Sequence, residues 1–244
     1  MISRSIRVVL GLALVSPTLV GSLLAQSPSD SPRKATVASR TTKTKAAVAV
    51  TPVAPIAFGV DERSSRVLVK VGAEGYGHVH GVLGRLTSGK VALNGPGELV
   101  FDMRSFVADP VDVRQQLGLT KKVSRSDADK TTANMLSADV LNVNRFPTAT
   151  YVISKVTPSD GQASGAPGRY QFDGDFTLHG SRRPLRLATT VEATNQPGVL
   201  RMRGTFAILQ SHYGMTPYSA LGGFVRVADR LEITGDLVLR PDSP

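Results

Sequence analysis

From Arg169 to Ala193, apolar and polar side chains alternate with a period of two through two successive runs. Tyr170, Phe172, Gly174, Phe176 and Leu178 share one face, with Gln171, Asp173, Asp175 and Thr177 on the other. Beyond the turn from His179 to Pro184 the alternation resumes, Leu185, Leu187, Thr189, Val191 and Ala193 facing away from Arg186, Ala188, Thr190 and Glu192. Strand side chains point to opposite faces in turn, so this spacing predicts a β-hairpin with one dry and one wet face. The pattern recurs along the chain. Val67, Val69 and Val71 mark a first strand, and Val79 to Leu93 a long or bent second one with Gly81, Gly84 and Gly89 as bulge or coil points. After the turn Asn94-Gly95-Pro96-Gly97, Leu99, Phe101 and Met103 face inward; Ala149, Tyr151 and Ile153 begin another strand. Leu200, Met202, Gly204, Phe206 and Ile208 form the inner face of the next, and Leu231, Ile233, Gly235, Leu237 and Leu239 that of the last.

About eight strands in hairpin order, each with one apolar face, predict an all-β domain, either a sandwich or an up-and-down barrel. From Ser105 to Phe146 the alternation stops. Asp109-Pro110 and Gly118 mark loop, Ser126 to Asp129 resembles a cap opening one short helix that runs through about Leu136, and Phe146-Pro147 ends the excursion. An excursion of this length inside a β domain is expected to cover something, and in a barrel it would close one end.

None of the inward positions on the last four strands is charged. Such an interior binds an alkyl or prenyl chain by desolvation, worth about 0.8 kcal/mol per buried CH₂, or else its side chains fill the space themselves. The candidate ligand-binding positions are Phe101, Tyr151, Phe172, Phe176, Leu178 and Leu187 on the earlier strands. Met202, Phe206, Ile208, Tyr213 and Leu237 complete them. Gly174, Gly204 and Gly235 sit mid-strand on the same face, where glycine either permits the coiling of a barrel or leaves room for a ligand.

Composition narrows the chemistry. Without cysteine the chain has no disulfide, thiolate zinc site or cysteine nucleophile. The net charge of +10 suggests nucleic acid until it is divided: residues 1–55 hold seven basic side chains against the single acid Asp30, and the remainder shows no basic stripe with interleaved aromatics. Nucleic-acid binding is not expected. Residues 1–25 read as a secretory signal, Arg4 and Arg7 preceding the apolar run Val8 to Leu24 with cleavage after Ala25, or as a retained membrane anchor. Residues 26–55, rich in Ser, Thr, Ala, Pro and Lys, read as a disordered basic linker able to touch an anionic membrane or wall surface. The folded domain is expected over residues 56–244, in a protein that is periplasmic or secreted.

Four histidines are the remaining candidates for chemistry. His78 and His80, two apart on a strand, share a face and could begin a zinc or copper site. With no third ligand nearby in the sequence they read as a hydrogen-bonded or solvent-facing pair, a metal-binding module or metal-dependent enzyme being the alternative. His179 lies in the hairpin turn, where bonding to loop backbone is expected, and His212 in a polar-aromatic loop, at the surface or against a head group. No Gly-x-Ser-x-Gly elbow is present and the carboxylates fall on outward faces or loops, so no enzyme activity and no cofactor are expected.

The segment Met135 to Tyr151, with Asp139, Phe146-Pro147 and the strand that follows, resembles that of the YceI-like family of secreted lipid-binding proteins. Phe172-Asp173-Gly174-Asp175-Phe176-Thr177-Leu178-His179-Gly180, trailed by Arg183-Pro184-Leu185, resembles the family's Gly-x-Leu-Thr-hydrophobic-His-Gly hairpin, and Gly77-His78-Val79-His80-Gly81 is similar to a Gly-His-x-His segment of one branch. The resemblance spans about Phe58 to Leu239. It implies an extended antiparallel eight-stranded lipocalin-like barrel holding a polyisoprenoid or other long-chain lipid, such as a fatty-acyl chain. Where many relatives read hydrophobic-Asn-Arg-x-x-Phe-Gly, this chain has Ile208-Leu209-Gln210-Ser211-His212-Tyr213-Gly214, so a head-group contact from that arginine does not carry over.

Overall fold

The computed structural model describes residues 57–242 apart from 160, 162 and 164; the signal and linker expected over residues 1–55 lie outside the described residues. The alternating segments form β1 (Ala57–Val60), β2 (Arg66–Gly75), β3 (His80–Ala92), β4 (Gly97–Ala108), β5 (Thr148–Pro158), β6 (Gly168–Leu178), β7 (Ser181–Ala193), β8 (Leu200–Leu209), β9 (Ser219–Ala220) and β10 (Val225–Pro241). Helices α1 (Val111–Gln116) and α2 (Arg125–Leu136) lie between β4 and β5. Each strand from β2 to β8 pairs antiparallel with the next, and β10 bonds both β8 and β2, closing an eight-stranded barrel without a free edge. The short β1 and β9 add to it from outside the ring, β1 across the ends of β3 and β10, β9 on β10 alone. β1 was too short to show a period in the sequence.

β4 runs on to Ala108, past Ser105 where the alternation is expected to stop. On β3 a single residue, Gly84, stands opposite the four from Met103 to Phe106, because the pairing passes from Leu83↔Val107 directly to Arg85↔Asp102. A Cβ on Gly84 would lie 2.3 Å from the Phe106 ring, so the glycine makes the seat for the bulged phenylalanine. This bulge breaks the period and hides the strand's end. The excursion contains two helices rather than one, and the cap of α2 is Ser124, not the Ser126 to Asp129 segment: its hydroxyl accepts from the Asp127 N–H at 3.1 Å and donates to the Asp127 carboxylate at 2.7 Å. Thr132 in α2 accepts the Ala108 N–H at 2.9 Å, tying the helix to the end of β4.

The barrel is unevenly filled. At the end closed by β1, the side chains of Val91, Leu93, Ile153, Tyr170, Phe172, Val191 and Leu239 are almost wholly excluded from water. The opposite end carries α1, α2, the His179-Gly180 turn and the loop between β8 and β10. The three mid-strand glycines differ in cause. A Cβ on Gly174 would lie 2.2 Å from the Val152 carbonyl oxygen, beside the bulge in β5, so this glycine permits close backbone approach. A Cβ on Gly204 would crowd Thr189, Ala188 and Leu187 at 2.9–3.1 Å, whereas one on Gly235 would meet nothing within 4 Å.

On the outer face Asp236 is clamped by Arg201 through two bonds of 2.6 Å, with Arg203 at 3.4 Å and Arg66 at 3.9 Å. The Arg201 bonds hold its carboxyl below the usual value of 3.8 against the opposing effect of burial. A carboxylate with a depressed folded pKa adds stability that is present above its unfolded value and lost as pH falls through the folded one. The urea midpoint is therefore expected to hold from neutrality to about pH 4 and to fall below it. Asp236→Asn should lower the plateau and flatten that fall; an unchanged acid limb would remove Asp236 as a contributor.

Candidate functional site

Above the filled end the barrel encloses a cavity of about 420 Å³. Nine of the eleven candidate positions line it: Phe101, Tyr151, Phe176, Leu178, Leu187, Met202, Phe206, Ile208 and Leu237. Phe172 does not, because it lies in the filled half beside Tyr170, ring centroids 6.3 Å apart, at 1% exposure. Tyr213 does not either; it sits in the single turn Gln210–Tyr213 and packs edge-on against Phe176 at 5.7 Å, behind the wall rather than in it. Phe176 also meets Phe101 and Phe206 edge-on at 6.2 Å, making an aromatic girdle around the wall. Tyr151 points its hydroxyl away, donating to the Phe172 and Leu185 carbonyls at 3.1 and 3.2 Å. Burial, then the charges of Asp173 and Asp175, pushes its pKa up to about 12. The wall contributions of Val67 and Val69, of Phe106, and of Met135 and Leu141 from the covering segment were not singled out in the sequence. The alternation in β2 was the available signal for the first two; the lid residues have none.

The polar groups of the lining gather at the open end. His78 and His80 both line the cavity, ring centroids 4.3 Å apart. The third partner absent from their neighbourhood in sequence is supplied by Asp109, at the end of β4: its carboxylate accepts from His80 Nδ1 at 2.6 Å, from the Gly81 N–H at 3.1 Å and from Arg114 at 2.5 Å. The Asp109 side chain is fully buried and its backbone lies in the left-handed region at φ 54°. Burial raises the Asp109 pKa, but the bonds from His80, Gly81 and Arg114 outweigh it and hold the carboxyl below its usual value. Burial, helped by the charges of His80, Lys121 and Arg114, keeps the His78 ring below the usual imidazole value. His78, His80 and Asp109 offer three ligand atoms within 4.8 Å of one another, the group among the described residues that could hold a metal ion. Asp109 takes three of the roughly four hydrogen bonds a carboxylate accepts and orients His80 through its Nδ1, so the two imidazoles are the less engaged ligands of the three. His78 Nε2 and, deeper in, Thr189 Oγ1 are buried without hydrogen-bond partners. Among the described residues the His179 ring bonds no loop backbone; it lies tilted by 56° against Phe146 at 4.4 Å, its own backbone in the left-handed conformation at φ 50°. His212 is exposed, and its carbonyl accepts from Arg183 at 3.0 Å.

A closed antiparallel barrel, hollow in one half and apolar where it is hollow, defines a lipocalin-like fold. Within that class, residues 58–239 match the YceI-like domain, and the chain belongs to the YceI-like family. A polyisoprenoid binding domain from Saccharophagus degradans, implicated in plant cell wall breakdown, has the same fold with 12% identity and a TM-score of 0.54 over 77% of this chain and 99% of its own. BcnA of Burkholderia cenocepacia is 16% identical with a TM-score of 0.48, over 73% of this chain and 98% of its own. The Campylobacter jejuni YCEI protein is 10% identical with a TM-score of 0.42, over 61% and 73%. No match was found among curated proteins.

Proposed function

We propose that this protein is a non-enzymatic carrier that holds a long-chain apolar ligand, a polyisoprenoid or fatty-acyl lipid, inside its barrel. The cavity carries the reading: about 420 Å³ of hollow, apolar space lies in the size range of dedicated ligand sites, roughly 300–1,000 Å³. The family membership and the polyisoprenoid binding domain of Saccharophagus degradans support it. The chain lies along the aromatic girdle and the head group rests at the open end, where His78 Nε2 lacks a partner. Among the described residues the cavity lining holds no carboxylate, so it lacks the pair of carboxylates that acid and base chemistry on a bound chain would use. Residues 1–25 direct export to the bacterial envelope and residues 26–55 act as a tether.

Protein purified without detergent and extracted into organic solvent is expected to yield one long-chain lipid near stoichiometry by mass spectrometry. The stripped protein should take up a prenyl or fatty-acyl probe. Repeated extraction without lipid, together with no probe uptake, would overturn the reading.

A further inference from the structure

Three large apolar side chains stand out in water beside the cavity's open end: Tyr76 at 84% exposure, Leu221 at 76% and Phe224 at 67%. They are brought together by pairing. The end of β2 and the start of β10 are joined through Gly75↔Val225, and the Tyr76 N–H donates to the Phe224 carbonyl at 3.0 Å. Gly75 is obligatory at this crossing, since its φ is 69° and a Cβ would lie 2.3 Å from the Phe224 oxygen. Leu221, Gly222 and Gly223 all adopt left-handed backbone, at φ 51°, 65° and 94°, which turns the chain from β9 into β10 and thrusts the tip outward. Leucine in that conformation is strained.

The exposed corner is continuous with the cavity. Gly77, Ala220 and Val225, the neighbours of these three residues along the chain, line it together with Tyr218. Two exposed lysines, Lys121 beside His78 and Lys122 next to it, stand at the opening and can meet anionic head groups, while Arg226 is paired with Glu74 at 3.4 Å. A chain too apolar to cross water needs an unbroken apolar path from its source to the barrel.

We propose that Tyr76, Leu221 and Phe224 form a docking tip that inserts into the surface of an anionic lipid bilayer and sets the open end of the cavity against the membrane. The proposal rests on the carrier reading, since the tip serves to pass the ligand between bilayer and barrel. Aromatic and aliphatic side chains with nearby cations are the composition that lies down in a lipid interface.

The test compares the full protein with a variant carrying Tyr76→Ser, Leu221→Asn and Phe224→Ser, which leaves the basic N-terminal segment identical in both. Asparagine at 221 tolerates the left-handed backbone. The partner is a vesicle of phosphatidylcholine with phosphatidylglycerol, and sedimentation reads the bound fraction. The variant is expected to bind about tenfold more weakly or worse, because three apolar anchors are lost. It should extract a fluorescent prenyl probe from those vesicles correspondingly more slowly, while taking the same probe from cyclodextrin at the original rate. Equal vesicle binding and equal extraction by the two proteins would overturn the docking tip. Failure of both proteins to take probe from cyclodextrin would instead overturn the carrier reading beneath it.

Discussion

Replacing Gly235 with phenylalanine is expected to stop uptake of a prenyl or fatty-acyl probe while leaving the barrel folded. Gly235 lies on the wall of the cavity, and a Cβ there meets nothing within 4 Å. A ring placed at this point grows into the hollow half instead of into protein, so it competes with ligand for the same space. Affinity should fall by at least about tenfold, since even a modest loss of buried chain costs that much. Stability should hold or rise, because the ring fills space that otherwise lacks contacts and glycine is a poor strand residue. Probe titration with urea unfolding checks both halves. Unchanged uptake would place the bound chain outside this cavity. Gly204 offers no such test, since its Cβ would already crowd Thr189 and Leu187.

The second large effect concerns Arg114. Its guanidinium, 7% exposed, bonds the fully buried Asp109 at 2.5 Å and also donates to the carbonyls of Val79 at 3.2 Å and Lys121 at 2.5 Å. Arg114→Met should leave the carboxylate in place with less compensation and cost about 3–5 kcal/mol, the usual penalty for breaking a buried pair from one side. The urea midpoint should move with little change in its slope. Adding Asp109→Asn should recover part of the loss, because the stranded charge goes with it. A loss below about 1 kcal/mol would mean that the pair is solvated in practice.

The alternation of β6, β7, β8 and β10 made the ring of strands legible, because a period of two assigns every side chain to the inside or the outside. It does not say how far along the barrel a side chain sits. Phe172 and Phe176 share one face of one strand, yet the first belongs to the filled half and the second to the cavity wall. Tyr213, a candidate wall position in the sequence, is carried behind Phe176 by a short helical turn. Asp109 was legible only as part of an Asp-Pro loop. Its bond to His80 spans 29 positions, and the β4 bulge that delivers it there is set by Gly84 and Phe106 meeting across strands, which no local spacing records. A long-range polar contact of this kind has no period to betray it.

The uneven filling of the barrel has a consequence for its motion. The half sealed by Val91, Leu93, Ile153, Tyr170, Phe172 and Leu239 holds nearly all of the side chains that water never reaches, so its strands can open only when the whole domain unfolds. The other half surrounds a hollow, and of its two covering helices α1 buries Val113 and Arg114 while α2 buries no residue. Amide exchange is then graded along the barrel axis, slow at one end and fast at the other. The open end is expected to breathe while the sealed end stays closed, which would let a ligand of the proposed kind enter or leave without the domain coming apart.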